Sequence, residues 1–281
     1  MRNFPSRALV VIVPFAVACG GGGGDAQPDA PVITVIDAKA IDAFEPPGPD
    51  AQVFDFTCVG AGAPAVADPT ITLSGAANGI SLNGTTPSVA GLDQATVDTC
   101  KNNCVGVDKL NTTTTAMAPC SMNGCAFATG AVASGGVPID GYLKVSKSTF
   151  RTSNVFPASP LSENVMGVPA LAFSANAFFG ATLFLGINQN PQNGDVGLFV
   201  TDCANTPING ATVSVKQNGN DVGQIIDASG ISVLASGGFV VFDVPPGDTE
   251  VNATFNGMTF RAHTVTTFAG QTTATQIRPG F

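Results

Sequence analysis

The sequence predicts an all-β protein behind a long N-terminal tether, and three observations support this. The 281-residue chain contains 33 Gly and 20 Pro, which suit short strands and tight turns better than helices. Hydrophobic residues make up 44% of the chain and charged residues 11%, so a substantial core is expected. Residues 251–255 and 258–262 alternate apolar and polar side chains around Asn256-Gly257, which is a strong hairpin signal.

Residues 1–18 have the order of a secretory signal peptide. Arg2 and Arg7 form a basic start, and an apolar run and small residues follow before Cys19. Residues 16–19, which end at Cys19, resemble a bacterial lipobox. In a lipobox the cysteine sulfur receives diacylglycerol and the leader is removed. Ala16 departs from that pattern, where leucine is commoner. We expect lipid attachment at Cys19; the alternative is an ordinary secretory leader without lipid.

Residues 19–53 predict a disordered tether between the lipid and the folded part. A glycine run follows Cys19, and the dipeptide Asp-Ala then recurs among prolines. Glycine gives flexibility, whereas proline and mutually repelling carboxylates extend the chain. A metal site is the alternative, but carboxylates on a chain without a folded frame make a poor cage. The segment resembles spacers of lipoproteins from myxobacteria-like Gram-negative organisms. In such bacteria a glycine rather than an aspartate after the lipid cysteine, here Gly20, implies sorting to the outer membrane.

Composition and motifs argue against several classes of function. The formal net charge is −9, which disfavours a nucleic-acid partner. No apolar stretch is long enough to span a bilayer as a helix, so the membrane is reached through the lipid. His263 is the single histidine, and the common nucleophile, phosphate-loop and metalloprotease motifs are missing. We expect no enzyme activity and no cofactor; an accessory protein of a secreted-type hydrolase is an alternative.

The hairpin around Asn256-Gly257 has a register that the two-residue turn fixes. Its facing pairs are Phe255 with Met258, Ala253 with Phe260, and Val251 with Ala262. These side chains share one face of the ribbon, which we expect to be the core face. The same register places His263 opposite Glu250 on the outer face, as a surface polar pair.

A related hairpin is predicted earlier in the chain. Thirteen residues from Leu143 align without gaps on thirteen residues from Ala253, with four identities that include the triplet Thr-Phe-Arg. The alignment predicts Leu143 opposite Phe150. It also predicts that Arg151 and Arg261, which end the two triplets, both point outward.

The strands around the second hairpin carry a family resemblance. Residues 207–215 and 238–247, with the turn Val-Pro-Pro-Gly, resemble the first strand pair of carboxypeptidase regulatory-like domains. These domains are Ig/prealbumin-like β-sandwiches. Thr249 departs from the pattern, which usually has an aromatic residue there. The resemblance implies two tandem β-sandwiches, at residues 54–157 and, more completely, at residues 194–281.

The resemblance extends to collagen-adhesin B-type repeats, which have a similar topology. Such repeats often carry a Lys to Asn isopeptide bond that an acid promotes. Lys216, Glu250 and Asn252 are residues of the required types, although Lys216 can equally be an ordinary outward strand residue.

Residues 158–193 are predicted to connect the two sandwiches through a short helix. Ser174 is a good N-cap, and the apolar residues that follow are spaced for one helical stripe. We expect a helix at about 175–186 that packs against or between the sandwiches. A membrane-inserting helix is disfavoured because the segment has no basic polar face.

Six cysteines remain after Cys19, an even number that predicts a disulfide framework in an exported protein. They are Cys58, Cys100, Cys104, Cys120, Cys125 and Cys203. In one arrangement two local loops close, Cys100 with Cys104 and Cys120 with Cys125, which leaves Cys58 for Cys203. In the other, the two close-spaced pairs bond to each other. A zinc site made by those four is a further alternative, which their spacing disfavours.

Together these patterns predict a structural or adhesive surface module that binds a surface protein or a polysaccharide. A carbohydrate-binding lipoprotein is the alternative, although the chain has no Trp and only Tyr142 among the tyrosines. Residues 188–195 are weakly similar to a calcium loop but contain a single carboxylate, so a turn is the better interpretation.

Overall fold

The computed structural model of the chain describes residues 52–83, 86–121, 123–228 and 237–281. The predicted signal peptide, the lipid attachment at Cys19 and nearly all of the predicted tether lie outside the described residues. No helix in the described ranges is long and apolar enough to cross a membrane.

Strands dominate the regular structure, which confirms the predicted all-β class. Along the chain they are β1 (Thr70–Ile71), β2 (Leu73–Asn83), β3 (Thr86–Gly91), β4 (Thr96–Cys100), β5 (Lys109–Thr114), β6 (Cys125–Ala128), β7 (Val132–Ala133), β8 (Tyr142–Ser146), β9 (Ser153–Phe156), β10 (Val165–Phe173), β11 (Gly194–Val200), β12 (Thr212–Gln217), β13 (Asn220–Asp221), β14 (Gln224–Asp227), β15 (Gly238–Val244), β16 (Gly247–Phe255), β17 (Met258–Thr259), β18 (His263–Thr267) and β19 (Thr272–Ile277). The helix α1 (Ala175–Phe184) lies between β10 and β11, and β4 is followed by a short 3-10 helix, Gly106–Asp108.

The largest sheet has eight strands in the order β14-β15-β11-β19-β9-β8-β4-β5. Four of them come from the first predicted sandwich and four from the second. The two sets meet where β9 pairs in parallel with β19, with Ser153 opposite Thr272 and Phe156 opposite Thr275. One continuous sheet therefore runs through both halves of the folded chain.

A five-stranded sheet of β13, β12, β16, β17 and β18 packs on the half of the large sheet that contains β11, β15 and β19. The buried apolar side chains between these sheets form the first core, which includes Val196, Leu198, Val213, Val215, Val241, Val251 and Phe260. Side chains alternate along β12 and β16, so that Lys216 and Glu250 lie on the outer face. This face-to-face packing is that of a β-sandwich.

A four-stranded sheet of β10, β2, β3 and β6 packs on the other half of the large sheet. The second core lies between them and includes Leu73, Ala77, Val97, Phe127, Leu143 and Val145. Successive side chains of a strand point to opposite faces of its sheet. Tyr142 belongs to the first core and Leu143 to the second. The two smaller sheets therefore cover opposite faces of the eight-stranded sheet.

Sandwich packing is thus present in both halves of the chain, but the halves share a sheet. Gln52–Phe281 forms one compact unit. The predicted boundaries at 54–157, 158–193 and 194–281 stay predictions. Producing either half alone would test them, because each half would then expose a new sheet edge at β9 or β19.

The second hairpin forms around the predicted two-residue turn. Phe255 lies opposite Met258, as predicted. The Phe260 N–H donates to the Ala253 carbonyl at 2.8 Å, which agrees with the predicted pairing of these residues. Phe260 is buried in the first core.

Beyond Phe260 the register slips by one residue. Val251 lies opposite His263, not opposite Ala262, and Glu250 lies opposite Thr264. The extra residue between β17 and β18 has the effect of a β-bulge. The prediction that His263 faces outward opposite Glu250 is therefore wrong, because the slip turns His263 to the face that carries Val251.

The first copy of the repeat pairs differently from the prediction. Leu143 lies opposite Val155 in β9, not opposite Phe150. Phe150 instead forms an isolated bridge with Ser174 and packs against the second core. The chain after β8 therefore makes a longer excursion than a two-residue turn before it returns as β9.

Helix α1 begins where it is predicted to begin. Ser174 is its N-cap, and the Ser174 Oγ accepts a hydrogen bond from the Ala177 N–H at 3.1 Å. The predicted apolar stripe is only partly correct. Ala177 and Phe178 are buried, but Phe184 is 90% exposed because the helix contacts the body along one narrow side.

Candidate functional site

The first described residues are held against the body by aromatic packing. The ring centroids of Phe54 and Phe255 are 5.3 Å apart in an edge-on arrangement, and those of Phe56 and Phe260 are 6.2 Å apart. Such aromatic contacts contribute beyond the area that they bury. The segment that follows the predicted tether is therefore packed onto the first core.

A disulfide and a buried carboxylate fix the same segment. Cys58 is bonded to Cys203, with Cα atoms 5.7 Å apart and 145 positions apart in sequence. The Asp55 N–H donates to Asp202 Oδ2 at 2.8 Å, and the Cys203 N–H donates to the Asp55 carbonyl at 2.8 Å. We call Phe54–Cys58, Asp202, Cys203, Phe255 and Phe260 the tether junction.

Asp202 is the electrostatic centre of the tether junction. Its burial alone would raise the pKa of the carboxyl, but hydrogen bonds from the backbone N–H groups of Asp55, Thr206 and Ala204 outweigh this and hold the pKa below its ordinary value. The ionised carboxylate thus organises the loop after β11 and the incoming segment together.

Apart from its cysteines and the hairpin residues Phe255 and Phe260, the junction was not among the residues that sequence patterns predict. A signal was nevertheless present, because Phe54 and Phe56 alternate directly after the acidic tether and next to Cys58. Asp202 had no such signal, since its role depends on where β11 ends.

The other four cysteines form two local disulfides. Cys100 is bonded to Cys104, and Cys120 to Cys125. This is the first of the two arrangements that the sequence left open. These bonds occupy the sulfurs that the zinc alternative needs, and no cluster of metal-ligating side chains occurs in the described part of the chain.

Arg151 lies inside the structure, so its predicted outward position is wrong. Its guanidinium forms an ion pair with Asp195 at 2.5 Å and lies 3.7 Å from the centroid of the Phe178 ring. Asp195 is 1% exposed, and burial raises the pKa of its carboxyl to about 6 although Arg151 opposes this. The pair joins the first-copy triplet to the start of β11.

Arg261, the equivalent residue of the second copy, is also turned inward. Its guanidinium lies 3.7 Å from the centroid of the Phe281 ring and donates to the Ala158 carbonyl. Burial, with the positive charge of Arg278, lowers the pKa of Arg261. The aromatic contact and the carbonyl compensate in part for the lost hydration of the guanidinium.

His263 occupies a half-buried position beside Arg261. Burial, and then the charge of Arg261, lower the pKa of His263 to about 4, while a hydrogen bond with the Pro157 carbonyl opposes the shift. The imidazole Nε2 is buried and makes no hydrogen bond in the described residues. The imidazole is therefore neutral at pH 7 and contributes packing.

We expect a pH-dependent difference in stability between the wild type and His263→Gln. The folded state favours neutral histidine. The contribution of neutral His263 to the free energy of unfolding is therefore fully present above pH 6.5 and is lost as the pH falls towards 4. From the shift, the loss is roughly 3 kcal/mol. Urea unfolding of both proteins from pH 7.5 to pH 4 measures it. If the free energies of unfolding of the two proteins depended on pH in the same way, the lowered pKa of His263 would be contradicted.

Tyr142 is not available for stacking on a sugar. It is 3% exposed, its ring is stacked on Phe156 with centroids 4.7 Å apart, and its hydroxyl donates to the Asn102 carbonyl. The most exposed aromatic side chains of the described residues are Phe179 and Phe184, both on α1. The carbohydrate-binding alternative therefore has no accessible tyrosine in Tyr142.

The residues considered for an isopeptide bond lie on one face of the five-stranded sheet. Lys216 is opposite Glu250, and Asn252 is opposite Ser214, so Lys216 and Asn252 are diagonal neighbours. The face is the outer one. An attacking amine has to be desolvated, which this position does not favour.

The segment at 188–195 forms a turn, in agreement with its sequence interpretation. The Asp243 carboxylate accepts hydrogen bonds from the Asn190 N–H at 2.8 Å and from the Asn193 side chain at 3.0 Å. Asp195, the carboxylate of the calcium alternative, is the partner of Arg151.

Comparisons with known proteins give only distant likeness. No family model matches the sequence, and no curated protein does. Among solved structures, the Bacillus anthracis TIE protein is 11% identical with a TM-score of 0.22; the match covers 76% of this chain but only 34% of that protein.

Two pilins are similarly distant. The shaft pilin SpaA from Lactobacillus rhamnosus GG is 10% identical with a TM-score of 0.22, over 75% of this chain and 98% of the pilin. A streptococcal ancillary pilin is 13% identical with a TM-score of 0.23, over 75% of this chain and 69% of the pilin. Likeness at this level carries no argument about function.

Proposed function

We propose that the chain is a non-enzymatic lipoprotein of the bacterial cell surface, anchored by lipid on Cys19. The observation that carries the proposal is the tether junction. Directly after the predicted tether, the polypeptide is fixed by the Phe54 and Phe56 rings, by Asp202 and by the disulfide to Cys203. Such a junction suits a protein that is held at one end.

The position of Cys203 supports a load-bearing role. It follows β11, an inner strand of the eight-stranded sheet that is paired on both sides, with β15 and with β19. A pull on the tether would pass through the disulfide into this strand, and then into many backbone hydrogen bonds at once. The proposed activity is therefore structural or adhesive.

The proposed location is the outer membrane of a Gram-negative bacterium, and the proposed partner is a surface protein or a polysaccharide. The resemblance of the tether to lipoprotein spacers supports the location. A relationship to carboxypeptidase regulatory-like domains is part of the proposal; the sandwich of β12, β15 and β16 around the first core supports it.

Metabolic labelling with an alkyne palmitate tests the anchor. We expect label in the wild-type protein and none in Cys19→Ala, with the tether-junction disulfide intact in both. Label in both proteins, or in neither, would contradict the proposed anchor. A glycan array and a pull-down with surface proteins then distinguish the two kinds of partner.

A further inference from the structure

Helix α1 presents an apolar patch to solvent. Phe179 is 68% exposed, Leu183 70% and Phe184 90%, and Leu185 follows them at 36%. We call these four residues the α1 patch. Phe179 and Leu183 are four residues apart and lie on one side of the helix, and Phe184 and Leu185 follow Leu183 directly at its C-terminal end. Exposed large apolar side chains that are contiguous in this way mark an interaction surface.

The opposite side of α1 is fixed, so the patch cannot turn inward. The Phe178 and Phe242 ring centroids are 5.7 Å apart, and the Arg151 guanidinium lies 3.7 Å from the Phe178 centroid. Ser174 caps the first turn. Thr182 is buried, and its hydroxyl donates a hydrogen bond to the Phe179 carbonyl. The helix is thus a rigid support for the side chains that it exposes.

The surroundings of the patch in sequence are free of charge. From residue 164 to residue 194 the chain contains no Asp, Glu, Lys, Arg or His. A polar rim with charged residues is typical of protein interfaces, and a basic face is typical of helices that bind anionic membranes. The missing basic face disfavours insertion into an anionic membrane, whereas an uncharged apolar helix matches a lipid surface without net charge.

We propose that the α1 patch inserts into the interface of a neutral phospholipid bilayer. The four side chains together offer on the order of 400 Å² of apolar surface, about half of what one partner contributes to a stable protein interface of standard size. A second copy of the chain docked on this patch alone would bury too little. A bilayer needs no matching shape and accepts protruding Phe and Leu side chains.

The inference rests on the proposed lipid anchor, which would raise the local concentration of α1 at the membrane. The proposed lipid on Cys19 would hold α1 near the membrane surface, so that a weak insertion is populated.

A single-tryptophan experiment tests the insertion, because the chain has no Trp. Phe184→Trp reports from the α1 patch. Val107→Trp is the matched control, since Val107 is 86% exposed in the 3-10 helix Gly106–Asp108. Each protein is expressed with its leader in a bacterium that lipidates exported proteins. The processed protein is purified and reconstituted into vesicles of phosphatidylcholine with brominated acyl chains.

We expect bromine to lower the emission of Phe184→Trp by about twofold or more, with a blue shift, and to leave Val107→Trp unchanged. Equal emission of Phe184→Trp with brominated and ordinary lipid would overturn the inference. So would a blue shift that appears without vesicles and grows with protein concentration, because that indicates self-association.

Vesicle charge and flotation complete the test. The negative net charge of the chain, −9 before the leader with Arg2 and Arg7 is removed, predicts that neutral vesicles quench at least as well as anionic ones; a preference for anionic vesicles would overturn the inference. Flotation reports the anchor separately. If the protein floats with the vesicles but the Phe184→Trp emission is not quenched, the anchor is supported and the insertion is rejected. If the emission is quenched at high lipid concentration but the protein does not float, the insertion is supported and the anchor is rejected.

Discussion

Replacing Cys58 and Cys203 together with alanine is expected to lower the free energy of unfolding by about 5 kcal/mol. The bond joins residues 145 positions apart, so its removal frees a very long loop in the unfolded chain. The tether junction also loses its covalent connection, and Asp55 and Asp202 must then hold the segment by hydrogen bonds. Urea unfolding under oxidising conditions measures the change.

The matched control is the double replacement of Cys120 and Cys125. These residues are 5 positions apart, so the same entropy relation gives a loss of about 2 kcal/mol. Equal losses for the two double variants would contradict the role given to the tether junction. Limited proteolysis should also cut near Phe54 in the first variant and not in the control.

Arg151→Met is expected to destabilise the protein by about 3 kcal/mol or more at pH 8. Methionine keeps much of the packing on Phe178, but it leaves Asp195 buried without its cation. Since burial already raises the pKa of Asp195 to about 6, loss of Arg151 raises it further. The deficit relative to the wild type should therefore shrink as the pH falls from 8 towards 5, where the carboxyl is neutral in the folded state.

Lys147→Met is the control for this experiment, because Lys147 also forms an ion pair, with Asp93 at 2.5 Å. Both partners are partly exposed, so solvent screens the pair and little stability should be lost. The measurement is the free energy of unfolding of the wild type, Arg151→Met and Lys147→Met from pH 8 to pH 5. A pH-independent deficit in Arg151→Met would show that lost packing, not charge, is responsible.

Local patterns predicted local structure well. The Asn256-Gly257 turn, the pairing of Phe255 with Met258 and the N-cap at Ser174 follow from short-range rules, and all three are confirmed. Period-two alternation also identified the residues of the first core in β16. These rules operate over one or two turns or strand pairs, where few alternatives compete.

Longer-range features could not be predicted for identifiable reasons. The one-residue slip before His263 depends on a bulge, which leaves no reliable mark in the sequence. The inward positions of Arg151 and Arg261 depend on partners far along the chain, Asp195 and Phe281. Repeat alignment was misleading here, because similar sequences in the two copies lie in different sheets.

Thr249 is fully buried in β16, and its hydroxyl is 2.8 Å from that of Thr267. The Gln217 side chain donates to the same hydroxyl at 2.9 Å. A small hydrogen-bonded network therefore satisfies the buried hydroxyl of Thr249.

The most direct test of the account is the mass of the mature amino terminus. We predict that the wild-type protein begins at Cys19 and carries the added mass of diacylglycerol and an acyl chain, whereas Cys19→Ala carries no lipid. A wild-type terminus at another residue, or an unmodified Cys19, would contradict the central claim that this protein is displayed on a membrane through its tether.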